Sequence, residues 1–171
     1  MLEIRVLGQF DLRRQGATIL LPSRPAQSLL AYLALSAGTA HRREKLAGLM
    51  WPDSEDDNAR NSLRHALWRI RKAIEPDDAT TPYLLTDDLA ISFNAGADYD
   101  LDAALLVRDG DSLQDLVEAV SAYRGELLPG FYDEWVGLER QRLESVFEHR
   151  MPAAPGRLDR RTPMARSPGV G

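Results

Sequence analysis

Apolar and polar residues alternate along Leu2-Glu3-Ile4-Arg5-Val6-Leu7, the two-residue period of a strand with one buried face. Gly8 interrupts the pattern and Phe10-Asp11-Leu12-Arg13 resumes it. Gln15-Gly16 reads as a turn, and Thr18 to Leu21 as a third short strand. The pattern predicts a small antiparallel sheet. Beyond it the period changes. Pro22 ends the strand, Ser23 is placed to cap a helix, and Pro25 suits a first helical turn. Leu29, Leu30, Leu33 and Ala34 recur at helical spacing, and Gly38 closes the helix. Arg42 to Met50 reads as a short second helix with Leu46, Leu49 and Met50 inward. Trp51-Pro52 stops it, because a proline ring disfavours a helical residue before it. Ser54-Glu55-Asp56-Asp57 has the form of a capping box with Asp in place of Glu, and its acids suit the positive end of a helix dipole.

A third helix follows from about Asp57 to Glu75, ended by Pro76-Asp77-Asp78. Pro82 to Thr86 and Leu89 to Phe93 predict a hairpin turning at Asp87-Asp88. Residues 94–99 read as a linker. Helical patterns return over Leu101 to Val107, Ser112 to Arg124 and Asp133 to Arg150, separated by Gly110 and by Pro129-Gly130. The last 21 residues hold four Pro, three Gly and few large apolar residues, the composition of a disordered tail. Three segments result: a mixed domain over 1–95, a helical segment over 99–150 and a tail over 151–171. The fold class expected is α+β.

Strands, then three helices, then a hairpin is the order of a winged helix-turn-helix, whose third helix enters the major groove of DNA. The third helix here separates its faces. With Leu63 at zero and about 100° per residue, Ala59, Leu63, Ala66, Leu67, Ile70 and Ile74 fall within about 60° of one direction. The opposite face collects Asn61, His65, Trp68 and Lys72, with Arg64 and Arg69 on its shoulders; Arg60 and Arg71 sit nearer the core boundary. Five basic residues and no acid lie between Arg60 and Lys72. Arg can donate two parallel hydrogen bonds to guanine, and Asn pairs bidentately with adenine; Lys suits phosphates. An outward Trp68 packs on sugars or a thymine methyl, or covers a neighbouring domain. His65 is a groove contact or a solvated surface residue. Arg24 and Arg43 stand near the starts of the first two helices, where helix N-termini already attract phosphates; ordinary surface charge is the alternative.

Charge supports this division. The chain carries −5 overall. Residues 1–75 hold 12 basic and 8 acidic residues, a net +4, whereas residues 76–150 hold 5 and 17, a net −12. The first segment can approach a phosphate backbone; the second is repelled by it.

Other chemistries find little support. The chain has no cysteine, which excludes a disulfide framework, a zinc ribbon and a thiol nucleophile. Its three histidines, 41, 65 and 149, are far apart and outside any metal-binding spacing. There is no phosphate-cradling glycine loop and no Gly-x-Ser-x-Gly elbow. Acid pairs such as Asp56-Asp57 and Asp87-Asp88 read as caps and turns rather than general acid–base pairs. No enzyme activity and no cofactor are expected. Charges at Glu3 and Arg5 break any signal-peptide core, and Leu29 to Leu35 falls far short of the roughly 20 residues of a spanning helix. A cytoplasmic protein with no membrane partner is the expectation.

The segments LEIRVLGQFDL, LPSRPAQSLLAYLAL and HRREKLAGLMWPDSEDDNARNSLRHALWRIRKAI resemble the winged helix of OmpR/PhoB-type regulators, and more closely the version in SARP-type activators. DYDLDAALL and AYRGELLPGFYDEWVGLERQRLE resemble the start of the bacterial transcriptional activator domain that follows in that family. The resemblance spans about residues 2–150. It implies a DNA-binding domain joined to an all-α, tetratricopeptide-like domain, binding to promoter repeats in double-stranded DNA, and recruitment of RNA polymerase. A homodimer on DNA is a further expected partner state.

Two features depart from the family. The hairpin LLTDDLAISF is short and its tip is acidic rather than basic. The helical pattern also stops at Arg150, where the family's helical domain continues, so that domain is expected to be incomplete. Leu138, Leu143, Val146 and Phe147 would then lack part of their partner, each burial being worth about 1.5–3 kcal/mol. Dimerisation, packing back on the winged helix or aggregation are the expected consequences. The alternative to a DNA-binding regulator is a protein–protein interaction module, or an antagonist of a full-length relative, with no DNA binding of its own.

Overall fold

The computed structural model describes residues 1–77 and 81–151; Asp78 and the expected tail beyond Met151 lie outside the described residues. In chain order the elements are β1 (Leu2–Arg5), β2 (Asp11–Arg14), β3 (Ala17–Thr18), α1 (Arg24–Leu35), β4 (His41–Arg42), α2 (Arg43–Met50) and α3 (Asp56–Ile74). There follow β5 (Leu84–Thr86), β6 (Ala90–Phe93), β7 (Tyr99–Leu101), α4 (Asp102–Val107), α5 (Leu113–Ala122) and α6 (Glu134–Arg150). The mixed α+β class is as expected.

The first sheet has the order β3-β2-β1-β7. The β1–β2 pair is antiparallel, with Leu2 opposite Arg14 and Ile4 opposite Leu12. Gln15 and Gly16 join β2 to β3 with φ of 52° and 79°, the left-handed pair of a two-residue hairpin turn. β7 was not expected. The segment taken as a linker runs into a strand parallel to β1, with Leu2 opposite Tyr99 and Ile4 opposite Leu101. Three residues inside an acidic stretch carry too little alternation to announce a strand, and a parallel partner leaves no turn signal beside it. The second, expected all-α segment therefore begins with a strand. The second sheet, β4-β6-β5, contains the expected hairpin and the two residues His41–Arg42; Arg42, expected as the first residue of the second helix, instead pairs with Ala90 in this sheet.

The helices begin and end as their local chemistry directs. Ser23 caps α1, its hydroxyl accepting from the Ala26 N–H at 3.3 Å. The capping box expected before α3 does not form: Glu55 rather than Ser54 takes the cap position, with no side-chain cap bond. Asp56 and Asp57 remain in its first turn, where they oppose the dipole's positive end. The buried residues of α3 are Ala59, Leu63, Ala66, Leu67, Ile70 and Ile74, the stripe read from the sequence. Each large member stabilises the fold by roughly 1.5–3 kcal/mol.

One hydrophobic core joins both halves of the chain, from Leu2 and Ile4 through Leu63 and Phe93 to Val136 and Leu143. The seam between them is also polar. The buried Asp102 carboxylate, at the first turn of α4, accepts from the N–H of Val6 at 3.0 Å, Leu7 at 2.9 Å and Ala103 at 2.8 Å. Gly8 donates to the Glu126 carbonyl at 2.9 Å, and Leu128 to that of Val6 at 2.9 Å. Backbone approach is closest at Gly125, where a Cβ would stand 3.0 Å from the Gly8 Cα. From α6, Arg140 donates to the carbonyls of Leu127 (3.0 Å) and Leu128 (2.8 Å). Arg150 closes the other end on the carbonyls of Arg108 (2.6 Å) and Gly110 (2.7 Å).

Leu143, expected to lack part of its partner, is fully buried, and Phe147 stacks on Tyr123 with ring centroids 4.2 Å apart. The short α4–α5 pair supplies that cover, which the sequence pattern could not place against α6. Leu138 does stand exposed. Met151, expected in the tail, caps α6 and is buried.

Candidate nucleic-acid interface

α3 is held at its C-terminal end. Beyond its C-terminus, one oxygen of Glu75 accepts from the N–H groups of Tyr83 (2.7 Å) and Leu84 (2.8 Å), and the other pairs with Arg71 at 2.8 Å. Arg71 also donates to Thr86 Oγ1 at 2.8 Å. These bonds fasten the β5–β6 hairpin to the last turn of the helix. At the hairpin tip, Asp87 Oδ1 accepts from the N–H of Leu89 (2.7 Å) and Ala90 (2.8 Å). The bonds from Ala90 and Leu89, and then the charge of Arg43, hold the Asp87 carboxyl below the usual carboxylate range. Arg43 Nε donates to the Asp87 carbonyl at 2.9 Å, and the Arg43 N–H to that of Leu89 at 3.0 Å. The hairpin thus bridges the start of α2 and the end of α3.

The start of α2 has its own support. His41 is buried; its Nε2 lies 2.8 Å from Ser36 Oγ, and its ring lies 5.1 Å from that of Tyr32. Burial, and then the charge of Lys45, lower its pKa.

The outward face of α3 is free. Asn61, Arg64, His65, Trp68, Arg69 and Lys72 are all exposed, Trp68 at 59%. Lys72 Nζ stands 5.2 Å from the centroid of the Trp68 ring, a cation–π contact along the helix. Arg64 reaches Asn61 Oδ1 only at 3.4 Å. Two shallow depressions mark this side. One, of about 490 Å³, is lined by Asn61, Arg64, His65 and Trp68. The other, of about 400 Å³, is lined by Arg43, Arg60, Leu63, Arg64 and Asp88.

The arginines sort by partner. Arg60 pairs with Asp57, and Arg71 with Glu75, both at the boundary of the buried stripe. Arg64, Arg69 and Lys72 pair with no carboxylate among the described residues. Arg43 is half-buried and joins the second depression. Arg24 does not join this group. Its guanidinium lies 4.5 Å from the centroid of the Phe131 ring and donates to the Gly130 carbonyl at 2.9 Å, so it works at the seam with the helical half.

Arg60 was set aside from the sequence as a boundary residue, yet it lines the second depression beside Arg43 and Arg64. Arg42 was not singled out; it is exposed and without a carboxylate among the described residues. The adjacent basic pair Arg42-Arg43 ahead of a helix was the available signal.

The fold resembles that of EmbR from Mycobacterium tuberculosis. In the structure of EmbR in complex with a low affinity phosphopeptide, the match has a TM-score of 0.73 at 16% identity. It covers 99% of this chain and 48% of that one, so this chain spans about half the length of the EmbR chain. No family model matches the chain, and no curated protein matches it. The likeness to EmbR concerns the fold. Among the described residues no helix is long and apolar enough to cross a membrane, and no group of three or more His, Asp or Glu is placed to hold a metal ion.

Proposed function

We propose that the chain is a DNA-binding transcription regulator whose first half is a winged helix-turn-helix. In this reading α3 lies in the major groove of double-stranded DNA and β5–β6 is the wing. The observation that carries it is the outward face of α3, where Arg64, Arg69 and Lys72 stand exposed without carboxylate partners while Arg60 and Arg71 are paired. An exposed surface of unpaired cations on a firmly packed helix suits a polyanion, and phosphates supply the larger share of such contacts.

Arg64 and Asn61 are the base-reading residues, by bidentate bonds to guanine and adenine. Arg69, Lys72 and Arg43 address phosphates, with His65 and Trp68 on the same groove-facing surface. The acidic wing tip, Asp87-Asp88, makes no phosphate contact. The helical half α4–α6 serves dimerisation on DNA or contact with RNA polymerase, and no catalysis is assigned. The test is enrichment of duplexes from a randomised library by the full chain. A recurring sequence motif supports the reading; a pool that stays random under stringent washing counts against it.

A further inference from the structure

Trp68 is the one large apolar side chain on the outward face of α3, and it is left 59% exposed among cations and amides. The buried stripe of α3 is complete without it. Its ring is not free on every side: Lys72 Nζ stands 5.2 Å from the centroid. The indole also forms a wall of the depression whose other walls are Asn61, Arg64 and His65. The depression therefore has one apolar wall and three hydrogen-bonding ones.

A paired duplex offers little to such a wall. Stacking on a base face requires the base to leave the helix. The major-groove edges of guanine, adenine and cytosine present only donors and acceptors; thymine alone adds an apolar group, its C5 methyl. We propose that Trp68 is a specificity-determining residue that seats the C5-methyl group of a pyrimidine against its indole, next to the base pairs read by Asn61 and Arg64. The proposal rests on α3 being the major-groove helix and adds what one position of the site must be. The ligand group is the methyl itself, so 5-methylcytosine presents the same contact as thymine, and uracil lacks it.

The experiment replaces thymines one at a time by uracil in the duplex enriched by the full chain and measures affinity for the wild type and for Trp68→Ala. At one thymine of each repeat, uracil is expected to weaken wild-type binding about three- to tenfold, the value of a buried methyl-sized group. Trp68→Ala is expected to bind the thymine and uracil duplexes equally. A wild type indifferent to uracil at every position overturns the proposal, as does a uracil effect that persists undiminished in Trp68→Ala. Salt-dependent binding with no uracil effect overturns the methyl contact and leaves DNA binding standing; no binding to any duplex overturns both.

Discussion

Trp135 donates its indole N–H to Ser28 Oγ at 3.0 Å, tying the first turn of α6 to the middle of α1. Ser28 passes the bond on to Asp133 Oδ2 at 2.8 Å, and the Trp135 ring meets Tyr32 edge-on at 5.1 Å. The helical half is thereby locked to the helix that packs against α3. Replacing Trp135 by Phe keeps most of the ring and removes the bond, at a cost of about 1 kcal/mol. Trp135→Ala adds a cavity and costs about 3–5 kcal/mol. Urea unfolding followed by far-UV circular dichroism measures both.

Asp102 is a second lock. Each of its oxygens accepts backbone N–H bonds, from Val6, Leu7 and Ala103. Asp102→Asn turns one oxygen into a donor facing a donor, and Asp102→Ala leaves buried N–H groups unpaired. Either change is expected to cost about 1–3 kcal/mol or more. Burial raises the Asp102 pKa despite those bonds, with Leu7 and Val6 the strongest of the opposing donors. A raised folded-state value means the folded protein holds this proton more tightly than the unfolded chain. The contribution of Asp102 to stability is then greatest below its ordinary value and is lost as pH rises through the folded-state value. Comparing the acid limbs of wild type and Asp102→Asn in thermal melts checks that sign.

His41 titrates the other way. Its folded-state value lies below the ordinary 6.5, chiefly through burial. Its stabilising contribution is present above that value and is lost as pH falls through the depressed one. His41→Gln is expected to flatten the fall in stability between neutral and mildly acidic pH, measured by denaturant midpoints across pH.

Much of this architecture was legible beforehand, and the reasons differ by element. The buried stripe of α3 could be read because six apolar residues keep helical phase from Ala59 to Ile74, about four turns, leaving Trp68 and the cations opposite. The hairpin was legible from its alternation and its Asp-Asp turn. β7 was not, because its pairing with β1 joins residues some hundred positions apart and three residues carry no period. Arg24 illustrates the limit for the site. Sequence places it beside a helix N-terminus, but only the tertiary approach of Gly130 and Phe131 turns it to the seam. The roles of Asn61, Arg64, His65, Trp68, Arg69 and Lys72 rest on chemistry and position.

The acidic tip of the β5–β6 hairpin gives a surface prediction. Asp88 lines the depression shared by Arg43, Arg60 and Arg64, where its charge opposes a phosphate. Asp88→Asn is expected to tighten duplex binding several-fold at low salt and to leave stability within about 0.5 kcal/mol. Electrophoretic mobility shifts alongside a thermal melt read both effects.

The most direct measurement is fluorescence anisotropy of the full chain on duplex DNA across a salt series, with Arg64→Glu/Lys72→Glu alongside. The wild type is expected to bind at low salt, with log affinity falling linearly in log salt concentration. The double variant, folded by circular dichroism, is expected to lose that binding. No binding by the wild type at low salt, or equal binding by the double variant, would contradict the assignment of α3 as the DNA-contacting helix.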